Sequence, residues 1–91
     1  MTAESNVLFR HRTYVDSAEG TLIGARRAVG RTTGNVYIEL HIQSEMGETL
    51  AVNMPEAFNP PVDLIVGHNY KIEWVETPEG KRLIMEALDS E

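Results

Sequence analysis

The sequence predicts an all-β fold, in which short strands are joined by tight turns. Apolar side chains recur at every second position in several segments, which is the period of a strand with one buried face. Glycine and proline separate these segments at the intervals expected of turns. The chain has 91 residues, of which 42% are hydrophobic, so it suffices for one small core and is too short for two.

The clearest strand lies over residues 35–43, where every second side chain is apolar: Val36, Ile38, Leu40 and Ile42. A second strand follows over residues 49–54, where Leu50, Val52 and Met54 repeat the alternation. The link over 44–47 is short and contains glycine, so we expect these two strands to form a hairpin.

A later pair of segments predicts a second hairpin. Tyr70, Ile72 and Trp74 share one phase, which places Trp74 in the core rather than on a binding surface. Residues 77–80 form a turn that contains Pro78 and Gly80, and the chain then returns over 81–88. Because residues 83–88 are also good helix formers, a terminal helix is the alternative for this last segment.

The first part of the chain is less regular. Residues 21–29 predict a long strand whose apolar phase changes near Gly24, which is typical of a bulge or a sharp bend. The prolines Pro60 and Pro61 limit any helix over 55–63 to one turn. We therefore expect residues 1–16 to be an extra strand or an arm, and residues 17–91 to be a single domain.

The order of these segments over residues 20–88 resembles the OB-fold. That fold is a Greek-key barrel of five strands, and the extra segment would make a small five- to six-stranded barrel here. The resemblance lies in strand spacing and turn positions, without a signature motif. It implies a binding surface on the strands over 35–43 and 49–54, flanked by the loops near Arg31 and Lys81.

The candidate nucleic-acid-binding residues are aromatic or basic and lie on or beside that implied surface: Arg26, Arg31, Tyr37, His41, Lys81 and Arg82. Tyr37 and His41 would stack on bases, and the basic side chains would contact phosphates. The alternative is that the two ring side chains are ordinary strand-surface residues and that the cations form internal ion pairs. Glu39 lies between the rings and would repel phosphate.

Charge is unevenly distributed along the chain. The net charge is −6, with +2 over residues 1–34 and −8 over residues 35–91, and these two values sum to −6. An acidic chain argues against nucleic-acid binding through charge alone, although a local basic strip can still contact phosphate. The acidic excess also has a simple explanation, because it keeps a small domain soluble.

Several function classes are excluded or disfavoured by the sequence. The absence of cysteine excludes disulfides, thiol catalysis and cysteine-ligated metals. His11, His41 and His68 do not have a metal-ligand spacing, and no nucleophile elbow or phosphate-binding glycine loop is present. We therefore expect no catalytic residue, no metal and no cofactor. No apolar segment is long enough to span a membrane and no signal peptide is visible, so we expect a cytoplasmic protein.

Two functions remain after these exclusions. We expect a small subunit or accessory module that binds single-stranded DNA or RNA. The alternative is a non-catalytic protein-interaction or adaptor module, whose acidic second half would be the docking surface or would mimic nucleic acid. The segment over 7–15 has no place in a five-stranded barrel and could pair with a second copy of the chain.

Overall fold

A computed structural model describes residues 12–89, and the regular structure in this range consists entirely of β-strands. The six strands, in chain order, are β1 (Arg12–Tyr14), β2 (Ser17–Val29), β3 (Val36–Gln43), β4 (Thr49–Pro55), β5 (Asn69–Thr77) and β6 (Gly80–Ala87). The all-β prediction is confirmed. The helix considered for residues 83–88 is wrong, because most of this segment belongs to β6. No described residue lies in a helix that could cross a membrane.

The strands form one sheet in the order β1-β4-β3-β2-β5-β6. Both predicted hairpins are present, with β3 antiparallel to β4 and β5 antiparallel to β6. The pair β1–β4 is parallel, whereas the other neighbours are antiparallel. Because β1 and β6 are edge strands with no ladder between them, the described sheet is not closed into the predicted barrel.

Strand β2 bends and connects the two halves of the sheet. Its first residues, over 17–21, pair with β5, and its later residues, over 21–29, pair with β3. The register shifts between Leu22 and Gly24, which confirms the bulge predicted from the change of phase. Gly20 lies so close to the Gln43 carbonyl that a Cβ atom at this position would collide with the carbonyl oxygen. The bend therefore requires a residue without a side chain.

The apolar core lies on one face of the bent sheet. Its buried members come from every strand except β1: Ala18, Leu22, Leu40, Ile42, Val52, Met54, Tyr70, Ile72, Leu83 and Met85. Ile38, Leu50 and Trp74 are partly buried and pack against this cluster, as does Phe58 from the proline-rich link. With the exception of Val36, the alternating apolar positions predicted to face inward on β3, β4 and β5 thus belong to this core or pack against it.

The short strand β1 adds an edge to the sheet next to β4. Tyr14 pairs with Ala51, and the Val15 amide donates a hydrogen bond to the Ala51 carbonyl at 3.0 Å. This part of the N-terminal segment is therefore the extra strand rather than a loose arm. Residues 1–11, which were expected to contribute to the same segment, lie outside the described residues.

Candidate nucleic-acid interface

An open groove of about 580 Å³ lies on the face of the sheet opposite the apolar core. We call it the Arg-Tyr groove, and its lining residues are Tyr14, Arg26, Ala28, Val29, Arg31, Tyr37, Glu39 and Asn53. The strand register explains why these residues meet. Arg26 lies opposite Glu39 and Ala28 lies opposite Tyr37 between β2 and β3. Alternate residues of each strand share a face, so all four side chains project to the same side.

A second cleft of about 360 Å³ adjoins the Arg-Tyr groove. We call it the Trp cleft, and its lining residues are Tyr14, Val15, Asp16, Ala51, Asn53, Trp74 and Lys81. Tyr14 and Asn53 line both depressions. The two depressions therefore form one continuous surface that runs from Arg31 past Tyr14 to Lys81.

A buried carboxylate organises the floor of this surface. Glu39 is only 1% exposed and accepts a hydrogen bond from the Tyr14 hydroxyl at 2.7 Å. Its other oxygen, Oε1, lies 3.0 Å from His41 Nε2, 3.0 Å from Arg12 Nε and 3.3 Å from Arg26 Nε. The Arg12 guanidinium also donates to the Tyr14 hydroxyl, at 2.8 Å from Nη2. The negative charge that was expected to face the ligand is thus held inside the sheet by two cations.

The protonation of this cluster follows from its contacts. Burial by itself raises the pKa of the Glu39 carboxyl, but hydrogen bonds from Tyr14 and His41 and the charges of Arg12 and Arg26 together bring it below its ordinary value. Burial and the hydrogen bond to Glu39 raise the pKa of the Tyr14 phenol. At neutral pH the cluster therefore contains an ionised Glu39 and a neutral, hydrogen-bonded Tyr14.

The structure brings three of the predicted binding residues together. Arg26, Arg31 and Tyr37 all line the Arg-Tyr groove. Arg31 lies in the exposed loop between β2 and β3, and the Arg26 side chain is 49% exposed even though its Nε contacts Glu39. A guanidinium has five N–H donors, so Arg26 can contact Glu39 and still present donors to a ligand.

The other three predicted residues are placed differently. His41 was expected on the strand surface, but it is fully buried beside Glu39, so its ring presents no face to a base. Lys81 lies in the Trp cleft, with its Nζ 4.0 Å from an Asp16 carboxylate oxygen. Arg82 is exposed on β6 opposite Val75 and lines neither depression.

Sequence reasoning missed two aromatic residues of this surface. Tyr14 belongs to a segment with weak alternation, and only the parallel pairing of β1 with β4 brings it beside Glu39. Trp74 packs against the core as predicted, but its ring also lines the Trp cleft. Its Nε1 donates a hydrogen bond to the Asn53 carbonyl at 2.9 Å, which fixes the indole between β5 and β4.

The described residues offer no metal centre, since no three histidine, aspartate or glutamate side chains in the range 12–89 are grouped to hold an ion. Comparisons with protein-family profiles, with curated proteins and with solved structures found no match to this chain.

Proposed function

We propose that this protein binds single-stranded nucleic acid across the continuous surface formed by the Arg-Tyr groove and the Trp cleft, without catalysing a reaction on it. The observation that carries the proposal is the composition of that surface. Three ring side chains, those of Tyr14, Tyr37 and Trp74, line it together with three cations: Arg26, Arg31 and Lys81. Single-strand-binding proteins combine these two elements, because rings stack on bases while cations follow the phosphates.

Two of the three rings are fixed before any ligand arrives. The Tyr14 hydroxyl is held by Glu39 and Arg12, whereas the residue as a whole remains 53% exposed. The Trp74 indole is held by its hydrogen bond to the Asn53 carbonyl. A fixed ring loses little conformational entropy on binding, so more of the stacking energy remains as affinity. Base stacking on such a ring contributes about 1–3 kcal/mol per base.

The local charge also favours an anionic ligand. The two depressions are lined by three cations and two carboxylates, those of Asp16 and Glu39, and Arg12 adds a fourth cation behind Glu39. Four positive and two negative charges give +2 on a chain whose net charge is −6. Because the Glu39 carboxylate is buried and ion-paired, it faces the arginines rather than the ligand.

The proposal includes the finer fold assignment. The long bent β2, the β3–β4 hairpin and the β5–β6 hairpin follow the order of the OB-fold strands, with β1 as an addition. In OB-folds, ligands bind on the second and third strands, which correspond to β3 and β4 here. An intracellular, cytoplasmic site of action belongs to the same proposal.

Fluorescence anisotropy with a labelled oligothymidylate and a labelled RNA of equal length tests this function. At low salt, we expect the protein to bind at least one of them. Arg31→Gln should weaken that binding severalfold, because it removes one phosphate contact from an exposed loop. Lys71→Gln is the matched control, since Lys71 is exposed on β5 and lines neither depression. If the two variants bound the oligonucleotide with equal affinity, the Arg-Tyr groove would not be part of the binding site.

A protein-interaction module is the second candidate, and the exposed apolar side chains favour it. Met46, Val66 and Ile84 are 88%, 64% and 50% exposed, respectively. If neither oligonucleotide binds at low salt, where phosphate contacts are strongest, the interaction module becomes the better account.

A further inference from the structure

The free edge of β6 is the strongest feature that the proposed function leaves unused. Strand β6 contains eight residues without proline, and in the described sheet it pairs only with β5. Its other edge presents backbone donors and acceptors that can template pairing with another strand. At the opposite edge of the described sheet, only three residues of β1 fall within the described range.

The side chains of β6 are complementary to those of a second β6 in antiparallel orientation. Arg82, Ile84 and Glu86 share the exposed face, whereas Leu83 and Met85 lie on the core face. Among residues 12–89, neither the Arg82 nor the Glu86 side chain has an ion-pair partner. Both charges are thus available to a partner strand.

We propose that two copies of this chain associate through their β6 edges as an antiparallel, two-fold symmetric pair centred on Ile84. In this register Ile84 lies opposite Ile84 of the second copy. Arg82 lies opposite Glu86 of the second copy, and the symmetry repeats this ion pair. Leu83 lies opposite Met85 of the second copy, so the two apolar faces become continuous across the junction. The result is one twelve-stranded sheet from two six-stranded halves.

Neighbouring registers lack this match. A shift by one residue places core-face positions opposite exposed-face positions, so one sheet would have to turn over. Centring the pair on Leu83 places Arg82 opposite Ile84, and centring it on Met85 places Ile84 opposite Glu86. Only the register centred on Ile84 pairs opposite charges and also pairs the exposed apolar side chain with itself.

Sedimentation of the full chain and of charge-swapped variants tests the arrangement. We expect the unmodified protein to be dimeric at high micromolar concentration. Arg82→Glu and Glu86→Arg should each raise the dimer dissociation constant about tenfold or more, because each places like charges together at two symmetric contacts. The double variant should return close to the original value. Glu48→Arg, in the β3–β4 turn and outside the paired residues 82–86, is the control and should have no effect.

A cysteine substitution tests the register directly, since the natural chain has no cysteine. Opposed residues in an antiparallel pair lie at a separation that a disulfide can span. In a dilute redox buffer, we expect Ile84→Cys to form a covalent dimer, whereas Met46→Cys, on an exposed hairpin turn, should remain monomeric on a non-reducing gel.

A protein that stays monomeric at every concentration would overturn the proposal and leave the β6 edge to a strand of another protein. A dimer that is insensitive to both single charge reversals would overturn it as well, because such a dimer must use a different surface.

Discussion

Replacing Glu39 by glutamine removes the buried charge on which the floor of the proposed binding surface depends. The substitution keeps the size of the side chain and leaves an amide oxygen facing the groups around Oε1. The change in the free energy of unfolding follows from the groups that contact the Glu39 carboxylate. Hydrogen bonds to a charged group contribute about 1.5–3 kcal/mol, and neutral ones about 0.5–1.5 kcal/mol. Each well-buried bond that loses its charge should therefore weaken by about 1 kcal/mol.

The solvent exposure of each partner of Glu39 determines how strongly its bond to the carboxylate is screened. His41 is fully buried and the Arg12 side chain is 16% exposed, so their contacts with Glu39 are weakly screened. Arg26 is 49% exposed, and its contact adds little because solvent screens it. The Tyr14 hydroxyl donates a part-buried hydrogen bond, but Tyr14 as a whole is 53% exposed, so we expect this bond to contribute less than the other two. We therefore expect Glu39→Gln to lower the free energy of unfolding by about 2–3 kcal/mol.

Urea unfolding followed by the fluorescence of Trp74, the single tryptophan, measures this loss. Glu48→Gln, in an exposed turn, is the matched control and should stay within about 0.5 kcal/mol of the unmodified protein. An equally small effect of Glu39→Gln would refute the reasoning, because the buried cluster would then contribute nothing to stability.

The pH dependence of the free energy of unfolding tests the charge state of Glu39. The pKa of Glu39 lies below its ordinary value of 4.5, so its contribution is fully present above that pH and is lost as the pH falls through the lower folded value. The acid decline should therefore be shallower in Glu39→Gln. The pKa of Asp89 is also lowered, by hydrogen bonds from Asn69, but this contribution is present in both proteins and cancels in the difference. Identical acid declines would contradict the ion-paired carboxylate.

Three further predictions concern the core, the bend and the surface. Leu40→Ala should lower the free energy of unfolding by about 2–5 kcal/mol in urea, because Leu40 is 1% exposed within the core. Gly20→Ala should lower the midpoint of thermal unfolding and cost more than about 2 kcal/mol, because its Cβ would collide with the Gln43 carbonyl. Tyr37→Ala should weaken oligonucleotide binding by about 1–3 kcal/mol in an anisotropy titration, with no change in salt dependence, because stacking is not a charge effect.

Strands and hairpins could be predicted from the sequence because the period of two is a local signal. The alternation over 36–42 places Leu40 and Ile42 in the core, and the change of phase near Gly24 marks the bulge. The predicted return strand over 81–88 was confirmed over most of its length and its helical alternative was wrong, because the turn over 77–80 returns the chain beside β5 and tertiary pairing overrides helix propensity. The prediction of a closed barrel was wrong because pairing between distant strands is not encoded in any local pattern.

The candidate site could be predicted only in part, and the reason is the second face of β3. The alternation along β3 indicates that the Glu39 and His41 side chains point away from the core, and both were therefore predicted to be exposed to solvent. In the structure both are buried, and Glu39 is ion-paired with Arg12 from β1 and Arg26 from β2. The contact with Arg12 depends on a parallel pairing between residues almost forty positions apart, for which the sequence contains no local signal.

The salt dependence of oligonucleotide affinity tests the central claim most directly. The proposed surface presents Arg26, Arg31 and Lys81 to phosphates, and each phosphate contact on a single strand adds about −0.7 to the slope of log affinity against log salt concentration. We predict a slope of about −2 for the unmodified protein, from three contacts. Removing Arg31 should make that slope shallower by about 0.7. Absence of binding at low salt to both DNA and RNA, or a slope near zero that Arg31→Gln leaves unchanged, would contradict the account.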